Sequence, residues 1–147
     1  MGVARASRRL ACLWVPAFPV QALRRSRPEL VEAPLAVPAG PSPRDEVVAV
    51  SGEAAASGAR VGMTAAQVRQ LTPRVVLHVA SAEVMEAAAA ALADAAWGVS
   101  PRLRRAAAGE VWLEVGGVVR LWGGEATLAG ELLRRCRGVG LEGCVGG

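Results

Sequence analysis

Residues 110–115 read Glu110-Val111-Trp112-Leu113-Glu114-Val115, and the reading of the whole chain turns on this run. Alternation with a period of two is what a β-strand with one buried face produces. Val111, Leu113 and Val115 form the expected core face, and Glu110, Trp112 and Glu114 form the other. Just upstream, residues 99–104 predict a second strand joined to the first by a short turn, a hairpin. Before that hairpin, residues 81–97 predict an alanine-rich helix with Val84, Ala88, Ala91, Leu92 and Ala95 on one stripe. Downstream, a helix follows Gly123-Gly124 with Leu128, Leu132 and Cys136 inward and Glu131 placed to pair with Arg135. A further strand is expected over residues 139–145.

One more strand stands near the start, Leu10-Ala11-Cys12-Leu13-Trp14-Val15, an apolar run that stops at Pro16. With it the order becomes strand, helix, strand, strand, helix, strand. That order predicts an α+β fold, a ferredoxin-like βαββαβ domain over residues 9–16 and 78–147, with a small α/β insertion over residues 17–77 after the first strand. Within the insertion, a helix is expected from Pro19 to Arg27, strands over 34–37, 46–50 and 75–79, and a short helix over 52–57. Met63-Thr64-Ala65-Ala66-Gln67-Val68 carries a helix start: Thr64 and Gln67 form a capping box, and Met63 staples to Val68. The helix stops before Pro73. Ferredoxin-like topology hosts many unrelated functions, so the fold alone assigns none.

At 147 residues with 52% hydrophobic content and a mean hydropathy of +0.32, the chain can bury a core. The longest apolar stretch, 84–97, is interrupted by Glu86 and Asp94 and is too short and too charged to span a bilayer, so no membrane partner is expected. The basic run Arg5, Arg8 and Arg9 leads into apolar residues that break at Pro16 without a secretory cleavage site, so a cytoplasmic location is expected. Cys12, Cys136 and Cys144 form no C-x-x-C pair and are expected as buried free thiols. His78 is alone in its strand and is expected to be structural, so neither a metal site nor a cofactor is assigned.

All 17 basic residues are arginines, and the net charge of +4 with a pI near 10.1 suits a polyanionic partner. The arginines group at Arg24, Arg25 and Arg27, at Arg102, Arg104 and Arg105, and at Arg134, Arg135 and Arg137. Phosphate contact and a solvated basic surface both account for the Arg102–Arg105 group. At the end of the last helix, cations are favoured by the helix dipole alone.

Several segments bear a resemblance in order and spacing. Gly58-Ala59-Arg60-Val61-Gly62-Met63, with the helix after it ending Leu71-Thr72-Pro73, resembles the fingers segment of the Y-family DNA polymerases. Glu110-Val111-Trp112-Leu113-Glu114-Val115 is similar to that family's "D-E-x-[YF]-L-D-[VI]" palm strand. Arg120-Leu121-Trp122-Gly123-Gly124 resembles the "R-L-F-G" that precedes the next palm helix. Leu13-Trp14-Val15-Pro16 resembles the "L-W-[LV]-P" opening of the ImuB group, family homologues that lack the polymerase acids. The resemblance implies that the split domain is a palm and the insertion a fingers subdomain.

What the resemblance implies about chemistry is a loss. Two-metal phosphoryl transfer needs carboxylates to hold Mg²⁺ ions about 3.5–4 Å apart. Trp14 stands at the first acid position, Pro16 at a second, and Gly109 at the first acid of the palm-strand pair, leaving only Glu110. An indole offers one N–H and no ligand oxygen. The nucleotide-gripping segment of the type "N-Y-E-A-R" reads Ser51-Gly52-Glu53-Ala54-Ala55, so Gly52 and Ala55 replace the tyrosine and the arginine, and Pro19 replaces the aromatic that excludes ribonucleotides.

The resemblance therefore implies a non-catalytic, DNA-associated protein acting in error-prone translesion synthesis and damage-induced mutagenesis. Its implied partners are DNA, an ImuA-type protein, an error-prone replicative polymerase and the sliding clamp. No glutamine-led clamp-binding peptide occurs in these residues, so clamp contact is not assigned to them. Candidate nucleic-acid-binding residues are Arg102, Arg104, Arg105, Trp14 and Trp112, the two indoles sharing the face opposite the core. That patch either stacks an unpaired base or seats a protein, or is covered by another part of the chain. Two other readings stay open: an active Y-family translesion polymerase, and a ferredoxin-like protein-interaction module without DNA binding.

Overall fold

A computed structural model describes residues 9–147; Arg5 and Arg8 lie outside them. In chain order the elements are β1 (Leu10–Trp14), α1 (Phe18–Ser26), a 3-10 turn (Pro28–Leu30), β2 (Leu35–Pro38), β3 (Val47–Val50), α2 (Gly52–Ala56), α3 (Ala65–Leu71), β4 (Val76–Leu77), α4 (Ala82–Trp97), β5 (Leu103–Arg105), β6 (Glu110–Glu114), α5 (Glu125–Gly138) and β7 (Cys144–Gly146). They divide into two compact units, one made of residues 9–16 with Ala88–Gly147, the other of Ala17–Ala87.

In the first unit, β1 is flanked by β6 and β7 and the sheet order is β5-β6-β1-β7, with every neighbouring pair antiparallel. This is the ferredoxin-like βαββαβ arrangement expected from the order of elements. The register sets Ala11 opposite Leu113 and Leu13 opposite Val111. Directly opposed residues share a face, and these four are all buried. A Cβ built on Gly143 would stand 3.0 Å from Cys136 Sγ and 3.1 Å from Leu13 Cδ1, so α5 packs on this side of the sheet. Leu128, Leu132 and Cys136 are the buried stripe of α5; Ala88, Ala91, Leu92, Ala95 and Ala96 are that of α4. Burial of a leucine such as Leu13 or Leu113 stabilises by about 1.5–3 kcal/mol.

The ends of two strands differ from expectation for local reasons. The strand expected over 99–104 is confined to Leu103–Arg105, because Val99 and Ser100 are buried in a turn. There Ser100 Oγ donates to the Glu114 carbonyl at 2.7 Å, and Trp122 Nε1 donates to the Val99 carbonyl at 3.1 Å. The last strand starts only at Cys144, because the end of α5 wraps back: Leu141 N–H donates to the Cys136 carbonyl at 3.0 Å, and Leu141 is buried.

The second unit has its own sheet, order β3-β2-β4, with β2 antiparallel to β3 and parallel to β4. β2 is buried along its whole length. Leu35 and Val37 pack with Val20, Leu23, Leu30 and Ala49. Ala36, on the opposite side, packs with Val47, Ala54, Ala59, Val68 and Val75. Ser51 ties this core together, its Oγ accepting from Leu35 N–H at 2.9 Å and from Ala54 N–H at 3.2 Å as the cap of α2. The capping box of α3 forms as read, Gln67 N–H to Thr64 Oγ1 at 3.2 Å and Thr64 N–H to Gln67 Oε1 at 2.9 Å. The unit continues past residue 77 to Ala87, since Ala80 and Val84 pack against the Leu35 cluster.

Candidate functional site

The even-numbered residues of β1 and β6 look away from the Leu13 core. The pairing sets Cys12 opposite Trp112, Trp14 opposite Glu110, Gly146 opposite Cys12, Cys144 opposite Trp14 and Arg104 opposite Trp112. One face of the four-stranded sheet therefore carries the row Arg104, Trp112, Cys12, Gly146 and beside it the row Glu110, Trp14, Cys144. Trp14 and Trp112 are each 37% exposed on it, so the two indoles share the open face, as alternation implied.

Three contacts define this face. A Cβ on Gly146 would meet Trp14 Cζ3 at 3.2 Å, so the six-membered ring of Trp14 lies over a residue that has no side chain. Trp112 Nε1 donates to Glu110 Oε2 at 2.9 Å, two residues apart on one strand. Cys12 sits between the indoles and is nearly buried; burial, and next the charge of Glu110, push its thiol upward from the ordinary value.

The positions that the resemblance matched to metal ligands do converge. Trp14 faces Glu110 directly, and Gly109 precedes Glu110 at a φ of 77°, a left-handed turn conformation that glycine adopts without strain. The Gly109 carbonyl accepts the Val15 N–H at 2.9 Å, which locks the turn against the end of β1, and Pro16 follows. Together they present an indole, a pyrrolidine ring, a glycine and one carboxylate, and that carboxylate is bonded to an indole N–H. This donor set does not fit a pair of Mg²⁺ ions, which need several hard oxygen ligands. Among the described residues no three His, Cys, Asp or Glu side chains cluster to hold a metal ion.

The arginines expected to act together are divided by strand alternation. Arg104 lies on the Trp112 face, while Arg105, opposite Val111, points to the other. Glu114 N–H donates to the Arg102 carbonyl at 2.8 Å, which extends the register and returns Arg102 to the Trp112 face. At the end of α5, Glu131 is gripped by Arg134 and, at 2.7 Å, by Arg135; these bonds, Arg134's first, hold its carboxyl below the usual range. Arg135 also lies over the Trp122 ring, 5.6 Å from its centroid.

In the second unit, Pro19 stands in the first turn of α1, Gly52 opens α2, and Ala55 follows in the same helix. None offers a phenol or a guanidinium. Nearby cations are committed elsewhere: Arg60 Nη1 donates to the Ala55 and Ala59 carbonyls at 2.9 and 2.8 Å. Arg24 donates to the Leu30 and Ala33 carbonyls and to Glu53. His78 Nδ1 lies 2.9 Å from the Val79 carbonyl, a local backbone contact. Sequence reading did not foresee the Trp112–Glu110 bond, the place of Cys12 or the Trp14–Gly146 contact; the i, i+2 spacing of Glu110 and Trp112 was the one available signal for the first.

The split βαββαβ domain and its inserted α/β unit define a Y-family polymerase fold. The impB/mucB/samB family model matches residues 13–146, and the chain belongs to that family. Among solved structures, an insertion ternary complex of Dbh DNA polymerase is similar with a TM-score of 0.78 at 19% identity over 93% of this chain. A Y-family DNA polymerase chimera of Dbh and Dpo4 is similar with a TM-score of 0.77 at 17% identity, again over 93% of this chain. This chain spans only 41% of the length of each of those structures. A search of curated proteins by sequence found no match.

Proposed function

We propose that this chain is the palm and fingers part of an ImuB-type protein that associates with DNA without polymerising it. In this reading it serves as an accessory scaffold in error-prone translesion synthesis and damage-induced mutagenesis. The observation that carries the reading is the Trp14–Glu110 register: at the corner where the two central palm strands meet, an indole faces the single retained carboxylate, and Gly109 stands beside it. Loss of the phosphate-gripping side chains at Gly52 and Ala55, and of an aromatic at Pro19, supports it independently. DNA is the proposed nucleic-acid partner, in keeping with the basic composition. An ImuA-type protein, an error-prone replicative polymerase and the sliding clamp are the proposed protein partners, and the cytoplasm the proposed location.

The test is primer extension by the purified full-length protein with Mg²⁺ or Mn²⁺, alongside anisotropy titration of primer-template DNA at two salt concentrations. The proposal expects no extension, and DNA binding that weakens with salt and is indifferent to Mg²⁺. Metal-dependent extension that disappears on Glu110→Gln would overturn it.

A further inference from the structure

The open face of the β5-β6-β1-β7 sheet combines features that a solvated sheet face does not need. Two indoles, on the two central strands, are each 37% exposed, and neither is a core residue. Trp112 is oriented by its bond to Glu110 and Trp14 by its seat on Gly146. The register makes them diagonal neighbours across β1 and β6, their Cα atoms about 7–8 Å apart by sheet geometry. Arg104 stands in the Trp112 row and Arg102 on the same side, both exposed at the β5 edge. Two acids share this face: Glu110 has its carboxylate turned to Trp112 Nε1, and Glu114 stands opposite Arg102.

We infer that this face is a stacking platform for unpaired bases of single-stranded nucleic acid, with Trp112 and Trp14 as the stacking surfaces and Arg104 and Arg102 as phosphate contacts. Aromatic side chains on a four-stranded sheet stack splayed bases, and two of them on neighbouring strands of one face offer two stacking surfaces to one strand. The planar guanidinium suits the strand's phosphates. A duplex hides the faces of its bases, so the platform prefers single strands to a paired primer-template. The inference rests on the DNA-associated reading, and names the part of DNA that this chain contacts.

The experiment is an anisotropy titration of the 147-residue chain with three fluorescein-labelled probes: a short oligothymidylate, the same strand made abasic along its centre, and a blunt duplex. The expected order is the base-bearing single strand tightest, with the abasic strand and the duplex weaker. Trp112→Ala should weaken the oligothymidylate roughly 5- to 150-fold. Trp14→Phe, which keeps a ring, should retain most of the affinity. Arg104→Gln should lower the slope of log K against log salt by about 0.7 for the lost phosphate contact. Equal affinity for the abasic and base-bearing strands, measured on the unmodified chain, overturns the platform while leaving DNA association standing. No binding to any probe at low salt overturns both.

Discussion

The two sheets of this protein are closed in different ways. In the three-stranded sheet, Leu35 and Val37 pack into one cluster and Ala36 into another on the opposite side, so β2 is buried on both faces. In the four-stranded sheet only the Leu13–Leu113 side is closed that way; on the other side Trp14 and Trp112 remain more than one-third exposed. A strand buried on both faces tolerates only apolar side chains, whereas one buried on a single face leaves alternate positions open to change of chemistry. That is why an acid-to-indole replacement of the kind the family resemblance implies at Trp14 can coexist with an intact palm core.

Four measurements would break or sharpen this contrast. The largest expected effect is a charge placed at β2: Ala36→Asp buries a carboxylate with no partner and should cost roughly 3 kcal/mol or more. At the half-exposed Trp112, replacement by threonine should cost only about 1 kcal/mol. Equilibrium urea unfolding of both variants reads the difference, and similar losses would erase the distinction between the sheets. Next, Leu113→Ala, one residue along β6 on its closed side, should lower stability by about 2–5 kcal/mol through lost burial and a residual cavity. A loss below that of Trp112→Thr would mean that the core lies on the opposite face.

A smaller effect is expected at Glu53, whose carboxyl is held below its usual value, first by its own backbone N–H and then by the Arg24 guanidinium at 3.0 Å. Because the folded value is depressed, the associated stability is present above about pH 4.5 and is lost as pH falls through the folded value. Glu53→Gln should cost about 0.5 kcal/mol at pH 7, since the pair is partly exposed, and the cost should vanish in acid. Melting temperatures of the two proteins across pH 3–7 check it.

The least perturbing measurement concerns the thiols. Burial pushes Cys136 up to about 11, whereas Cys144 is only half-buried. Iodoacetamide at pH 8 should modify Cys144 first and Cys136 last, as read by mass spectrometry of timed digests. Rapid modification of Cys136 would show that the closed side of the palm sheet opens readily. The raised value also implies that this thiol's contribution to stability is complete below about pH 9 and falls as pH rises toward 11.

Much of this was legible because its causes are local. The alternation of residues 110–115, the Thr64–Gln67 capping box and the apolar stripe of α5 each depend on neighbours within a few positions, and each forms as read. The shared face of Trp14 and Trp112 was legible because strand parity and the order of elements together leave one arrangement. The arginine group at Arg102, Arg104 and Arg105 was harder: adjacency in sequence placed three charges together, and the pleat of β5 separated them.

The sequence by itself therefore determined the elements, the βαββαβ order and the lack of any acid in residues 10–16, since residue type and spacing need no partner to be read. Only the tertiary structure decided that Trp14 faces Glu110, that Trp112 occupies the Glu110 carboxylate, that Gly146 lies beneath the Trp14 ring and that Cys12 is hidden between the indoles. Those facts depend on pairing between strands about a hundred residues or more apart in the chain, and register of that kind is set by the packing of the opposite, buried face.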